Sequence, residues 1–503
     1  MRWISPAVVT WVLAAGWGVS AGKEGDLLDA EALAPAGLVK YWQCSVPLET
    51  NEALDRMSLE DETLYVLTEL GTLYAVDARV GLVRWGSPVA EPPFHVFRPC
   101  HVMVKDTDAP RRTVVVSTTH LMLFHPRTGR LMARLRLPFT PAGPPIAVGK
   151  DVYVGSVNSR YYALRPVEMR ISRSTPKKKT ETRGRGWYGE VRRPGERLFG
   201  EADDSGKLRE WQRDALGRFG ETASDHRALV VRWHVDSAGN VKGRPAVADY
   251  DSLGNVIAPG AQARAPAARD RQEKGKTKDK GQTEAEAAST IVDQVALIPT
   301  DGGKLFACRL AKKRRAWVAD VPGEILVDPL VGNGMVYFAS TGRSVYAVNL
   351  VNGRYRWQCP VPSALKRRGF LTPTRLYQPA EPTGVYAIDP LTGKLNWTFD
   401  RATHFLAEQA DVVYLFEPGQ SIHQIDAKTG EVLRSMESPA ATCCAGNTRD
   451  TAVYVASRDG RVMCLRPKGT PYLRRAEFDR ALAGSRAPES TDEPAKKKTP
   501  ARR

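Results

Sequence analysis

The chain has 503 residues, 42% of them hydrophobic, and its 73 Lys and Arg outnumber 56 Asp and Glu for a formal net charge of +17. That apolar share supplies a packed core and excludes a wholly disordered chain. Seven cysteines over this length exclude a dense disulfide scaffold, and an odd number leaves at least one outside any intramolecular pairing.

Residues 1–21 carry one basic residue near the start, Arg2, then an apolar stretch from Ile4 to Val19 and a Val-Ser-Ala ending. This is the pattern of a secretory signal peptide cleaved before Gly22. The stretch is short for a bilayer span and contains Pro6. No Cys follows Ala15 and Gly16, so a lipoprotein cleavage box is absent. The expected location is periplasmic or envelope-associated after export across the inner membrane, without a lipid anchor.

A short unit then recurs. Leu64 to Trp85 holds an alternating run, a turn, a second run, an Asp/Arg/Gly turn and a third run ending in Trp. Period-two spacing predicts an antiparallel meander. Further units run from Val114 to Leu137, Val152 to Leu164 with a fourth strand at Val230 to Val235, Val295 to Val321, Val336 to Val361, Arg375 to Phe399, Val412 to Met436 and Val453 to Leu465. The last lacks a fourth strand, and Lys40 to Pro47 nearly repeats Tyr355 to Pro362. Pairing the two ends closes a ring and removes the exposed edges of an open array. The expected fold is all-β: an eight-bladed β-propeller over residues 38–467, with four-stranded antiparallel blades, an N-terminal closing strand and an insertion in blade 3.

The turn before the final strand of a unit carries Gly81, Gly129, Gly353, Gly393 or Gly430, and Trp85, Trp357 and Trp397 follow four residues after their glycines. A glycine there permits φ > 0. A large ring placed once per unit suits packing between neighbouring sheets, so Trp42, Trp85, Trp233, Trp317, Trp357 and Trp397 are expected to dock blade on blade.

The pattern Ala-x-Asp-x-x-Thr-Gly-x-x-x-Trp, nearly matched at Ala387 to Trp397 and partly at Ala75 to Trp85 and Ala347 to Trp357, resembles the quinoprotein-type β-propeller repeat. That superfamily includes the pyrroloquinoline quinone (PQQ) dehydrogenases and the BamB-like scaffolds of outer-membrane assembly, and this chain is more similar to the scaffolds. The resemblance implies a propeller, but its motif is structural and carries no chemistry by itself. A quinone site in the dehydrogenases needs a Trp floor. Here Trp3, Trp11 and Trp17 fall in the signal, Trp187 and Trp211 in the insertion, and the other six occupy the docking position. Strand beginnings near the expected channel offer His95, Cys100, His101, His404 and Glu408, which do not make a calcium ligand set. Pro99 separates His95 from His101, and His120 and His125 read as structural. No Gly-x-Ser-x-Gly or His-Glu-x-x-His motif is present. No cofactor, metal or catalytic residue is expected, and a quinone-dependent envelope oxidoreductase using PQQ and calcium stands as the alternative.

Cys44 and Cys464 are expected on neighbouring strands of the closing blade and form one candidate disulfide. Cys443 and Cys444 form another, since the resemblance implies a vicinal pair in quinoprotein alcohol dehydrogenases, where it comes early in the propeller.

Three segments stand apart from the repeats. Residues 167–229 open with a basic run, then place Leu208, Trp211, Ala215, Leu216 and Phe219 at helical spacing, a candidate helix for covering the propeller face or for docking a partner. Residues 260–288 are Ala-rich and then charged, and 484–503 end in a basic tail, both lacking the hydrophobes to fold alone. Basic arms of this kind bind anionic lipid or acidic polymer nonspecifically, and no specific nucleic-acid groove is read from them. The sequence therefore predicts a non-catalytic envelope binding or scaffolding protein with protein partners.

Overall fold

The computed structural model describes residues 25–103, 110–168, 227–250, 256–257 and 293–485. The signal segment, the 260–288 linker, residues past 485 and most of the blade 3 insertion, including Leu208, Trp211, Leu216 and Phe219, lie outside the described residues.

Eight antiparallel sheets form the ring, and in six of them strand order is sequence order; the fourth and eighth blades depart from it. The fifth blade is representative: Leu330–Gly332 is innermost, followed outward by Met335–Ser340, Ser344–Asn349 and Tyr355–Pro360. Its second strand is buried at every residue, whereas the outer strand of the fourth blade, Arg314–Asp320, alternates exposed and buried positions near its end. The middle strands thus depart from apolar/polar alternation. Both of their faces are covered by neighbouring sheets, so even their polar residues, such as Thr63 and Ser340, are enclosed.

The ring is closed by Leu38–Ser45, which pairs antiparallel with Arg461–Pro467 and completes the eighth blade with Cys443–Ala445 and Val453–Ala456. One departure from four strands occurs in the fourth blade, where Val256–Ile257 adds a fifth strand inside the inner strand Ala246–Tyr250. In the third blade, Glu168 of the third strand faces Arg227 of the fourth, so the intervening segment leaves and returns at one point.

The hydrophobic core is a set of eight clusters, and each spans two adjacent blades. Leu376 and Tyr386 of the sixth blade, for example, pack with Tyr337 and Ala347 of the fifth. Isolated, a blade would expose most of this surface, at about 25 cal/mol per Å².

Each position of the repeat motif has a physical role. Ala387 faces Trp397 across the strand pair, and a β-bulge follows immediately, as it does after Ala75 and Ala347. Asp389 accepts hydrogen bonds from the backbone N–H of Leu391 (2.8 Å) and Thr392 (3.2 Å), and its own carbonyl accepts from Gly393 N–H (2.8 Å). Burial would raise the Asp389 carboxyl, but those N–H donors outweigh it and hold it below its ordinary value. Gly393 has φ +75°, and a Cβ there would sit 2.5 Å from the ring of Trp357 in the preceding blade. Trp357 Nε1 in turn donates to Pro390 O at 3.0 Å, in the same turn.

The same joint recurs where Trp42 meets Gly81, Trp85 meets Gly129, Trp317 meets Gly353 and Trp397 meets Gly430. In every case the indole N–H donates to the carbonyl just after the residue that begins the turn: Ala78, Pro126, Leu350 and Ala427. The exceptions follow from the partner. In the third blade the insertion replaces this turn, and the second blade has Ala133 in the Trp position. Since the closing strand arrives from the other end of the chain, the eighth blade has no such turn, and the seventh has Arg434 there. Trp233 faces a fourth-blade turn without glycine, where Lys313 takes φ 50°, and it remains half-buried.

The ends add to the ring. Leu27, Leu28 and Leu33 pack on the interface of the seventh and eighth blades. A helix at Arg475–Ser485, which the repeat pattern does not predict, follows a segment where Tyr41 donates to Pro471 O at 2.9 Å.

Two substitutions separate backbone strain from ring contact. Gly419 has φ +71° with nothing within 4 Å of a Cβ, so Gly419→Ala should lose about 1 kcal/mol. Gly393→Ala meets both the positive φ and the Trp357 ring and should lose about 2–4 kcal/mol. Equal losses in urea titration would show that the ring contact contributes nothing.

Candidate functional site

Four charged residues occupy one position in four blades, each two residues ahead of its inner strand: Arg98 before Cys100–Met103, Arg244 before Ala246–Tyr250, Asp328 before Leu330–Gly332 and Arg368 before Phe370–Leu371. A fifth, Glu60, ends the inner strand of the first blade, Leu54–Glu60. Inner strands line the axis of a propeller, so these side chains from distant parts of the sequence reach one another.

Arg244 is held on all sides. Its Nη1 and Nη2 bind Glu60 Oε2 and Oε1 at 2.7 and 2.8 Å, Nε donates to Pro145 O at 3.0 Å, and Nη2 also reaches Pro99 O at 3.3 Å. Its backbone N–H donates to Asp328 Oδ1 at 2.8 Å. Asp328 Oδ2 accepts from Arg98 and is approached by Arg368 Nε at 3.5 Å. Blades one, two, three, four, five and six are thereby tied across the channel. Burial would raise Glu60, but Arg244, with Arg98 and His101 behind it, holds its carboxyl below the ordinary value. For Asp328 burial is likewise outweighed, by Arg98, Arg368 and Arg244. The fork geometry of Arg244 on Glu60 and the backbone acceptors offset the desolvation that a buried pair otherwise suffers.

A second group joins the first, second and eighth blades. His101 bonds Asp61 through Nδ1 at 2.7 Å and the Tyr65 hydroxyl through Nε2 at 2.6 Å, Tyr65 also meets Thr113 at 2.9 Å, and Arg449 pairs with Asp61 at 2.9 Å. Elsewhere, His404 Nε2 accepts from Arg367 Nη1 at 2.7 Å while Nδ1 lies 2.9 Å from the Thr403 hydroxyl. Because an arginine only donates, this contact requires a neutral imidazole. Burial first, then the Arg367 charge, lowers the His404 pKa from 6.5 to about 4.

Of the residues that the sequence offers at the channel, His101 enters a network with Asp61, and His404 sits with Arg367. Glu408 accepts from Thr374 at 2.5 Å and lies 3.8 Å from Arg375. His95 packs on Phe97 and is exposed, and Cys100 is buried beside Val114. His125 takes the place of the turn Asp, with Nδ1 accepting from Thr128 N–H at 3.2 Å. Among the described residues no group of three or more His, Cys, Asp or Glu gathers to hold a metal. All seven cysteines are free thiols. Cys44 faces Val462, Cys464 faces Trp42, and Cys443 and Cys444 lie consecutively on the eighth inner strand. The five cross-channel charges were missed by motif reading, although the offset that Arg98, Arg244, Asp328 and Arg368 share from the inner strands is a repeat position visible in the sequence.

Residues 264–398 match the family model described as outer membrane protein assembly factor BamB. Among solved structures, BamB from Moraxella catarrhalis aligns over 87% of this chain and 99% of its own, with 11% identity and a TM-score of 0.52. The chain carries a BamB-like β-propeller. The computationally designed Ika8 protein aligns over 84% of this chain and 98% of its own, at 11% identity and TM-score 0.48. No curated protein matches the chain.

The neutral His404 of this BamB-like propeller has a readable consequence. An unfolded histidine binds a proton near 6.5, whereas the folded one resists until about 4, so unfolding takes up protons in that window. The contribution of His404 to stability is therefore fully present above pH 6.5 and is lost as the pH drops toward 4. His404→Gln should flatten that part of the stability profile in urea titrations at a series of pH values, and an unchanged slope would remove His404 as its source.

Proposed function

We propose that this BamB-like propeller is a non-catalytic binding scaffold of the bacterial envelope that contacts other proteins, acting in the assembly of outer-membrane proteins. The observation that carries the reading is the agreement of two comparisons: a sequence match across residues 264–398 and a structural alignment across 87% of the chain both lead to BamB. Under this reading residues 1–21 act as a signal peptide that exports the chain to the periplasm.

The surface supports a binding role. Val351, Tyr355, Leu391, Leu395, Val432 and Leu433 are exposed on the outer turns and strands of the fifth, sixth and seventh blades. Large apolar side chains repeated over neighbouring blades give a contact area that a partner protein can cover. The blade 3 insertion, with Leu208, Trp211, Leu216 and Phe219, is the second contact element in this proposal.

The test is in-cell crosslinking with mass spectrometry on the intact chain and on a variant in which residues 169–226 are replaced by Asn-Gly. Glu168 and Arg227 are already strand partners, so a two-residue hairpin turn should close the gap and leave Tm within about 2 °C. Capture of a discrete outer-membrane assembly protein by the intact chain, reduced by the replacement, is the expected result. Absence of any such protein above background from both chains would overturn the scaffold reading.

A further inference from the structure

The cross-channel cluster holds more positive charge than its carboxylates match. Three guanidiniums, Arg98, Arg244 and Arg368, face two carboxylates, Glu60 and Asp328. Glu60 is fully engaged by the Arg244 fork, which leaves Asp328 to serve Arg98, Arg368 and the Arg244 backbone N–H. Arg368 is the least satisfied of the three. Its Nε stands 3.5 Å from Asp328 Oδ2, and its guanidinium lies over the Phe370 ring at 5.5 Å. The Nε atoms of both Arg98 and Arg368 are buried and have no hydrogen-bond partner among the described residues. Yet Arg368 retains 41% of its side-chain surface, so a solute can reach it.

Surplus positive charge, unfilled donors and an open approach together describe an anion site. A guanidinium presents two parallel N–H groups, which suit the paired oxygens of a carboxylate or phosphate and not a spherical halide. Enclosure strengthens such a contact relative to an arginine in bulk water. Burial, and after it the neighbouring Arg98, also pulls the Arg368 pKa down to about 10, the direction that an anion beside it would reverse.

We propose that the channel binds a small oxyanion, a phosphate or carboxylate group, on Arg368 with Arg98 as the second cation. The site lies apart from the apolar outer perimeter and does not depend on which protein the perimeter contacts.

The probes are inorganic phosphate and, separately, acetate, each titrated into the full chain by calorimetry and by thermal unfolding, with chloride at matched ionic strength as reference. The expected result is saturable one-site binding of at least one oxyanion and a rise in Tm of a few °C above the chloride reference. Arg368→Gln should weaken that binding tenfold or more. Arg401→Gln, which removes an exposed arginine over the Phe399 ring, should leave it unchanged. In chloride, Arg368→Gln should be at least as stable as the parent, because it removes a cation repelled by Arg98 and Arg244, so lost binding would not reflect lost folding. A response to neither oxyanion beyond that of chloride, or undiminished binding in Arg368→Gln, overturns the proposal.

Discussion

The indole of one blade resting on the glycine of the next is the contact on which the ring depends. It joins three requirements in one place: a turn with positive φ, a backbone carbonyl aimed at Nε1, and an absent Cβ that lets the ring approach. Trp357 and Gly393 show all three. None can be relaxed alone, since a side chain at the glycine would enter the ring and a smaller residue at the Trp would leave a cavity between sheets. The second and seventh blades confirm the dependence from the other side, for their Trp is missing where the following blade has no such turn to receive it.

This joint acts on the outer half of five of the eight interfaces, and the inner half is held differently. Inner strands are short, two or three residues in the fifth and sixth blades, and supply little apolar area. Their cohesion comes instead from charges that reach across the axis, with Arg244 and Asp328 as the hubs. Desolvation makes such a cluster costly unless every donor is used. Each guanidinium nitrogen of Arg244 has an acceptor, whereas Nε of Arg98 and of Arg368 has none among the described residues, so the unfilled capacity of this cluster lies on those two side chains.

Much of the architecture was legible because it is repetitive. Five glycines, six tryptophans and the near-copy of Tyr355 to Pro362 at Lys40 to Pro47 were enough to count blades and to close the ring, since a unit of this size cannot bury its own faces. The extra strand Val256–Ile257 and the helix Arg475–Ser485 lie outside the repeat and left no periodic signal. His125 in the Asp position of a turn was read only as structural, because its acceptor role depends on where its ring nitrogen points.

The sequence by itself determined the blade count and the closing strand, because these follow from a unit repeated at a fixed spacing. Only the tertiary structure decided the channel. Glu60 and Arg244 are far apart in the chain, and their pairing exists because ring closure brings unlike blades to a common axis, where long flexible side chains choose partners by charge and distance. Spacing along a sequence encodes neighbours within a blade and between successive blades, but not which side chains meet across the centre.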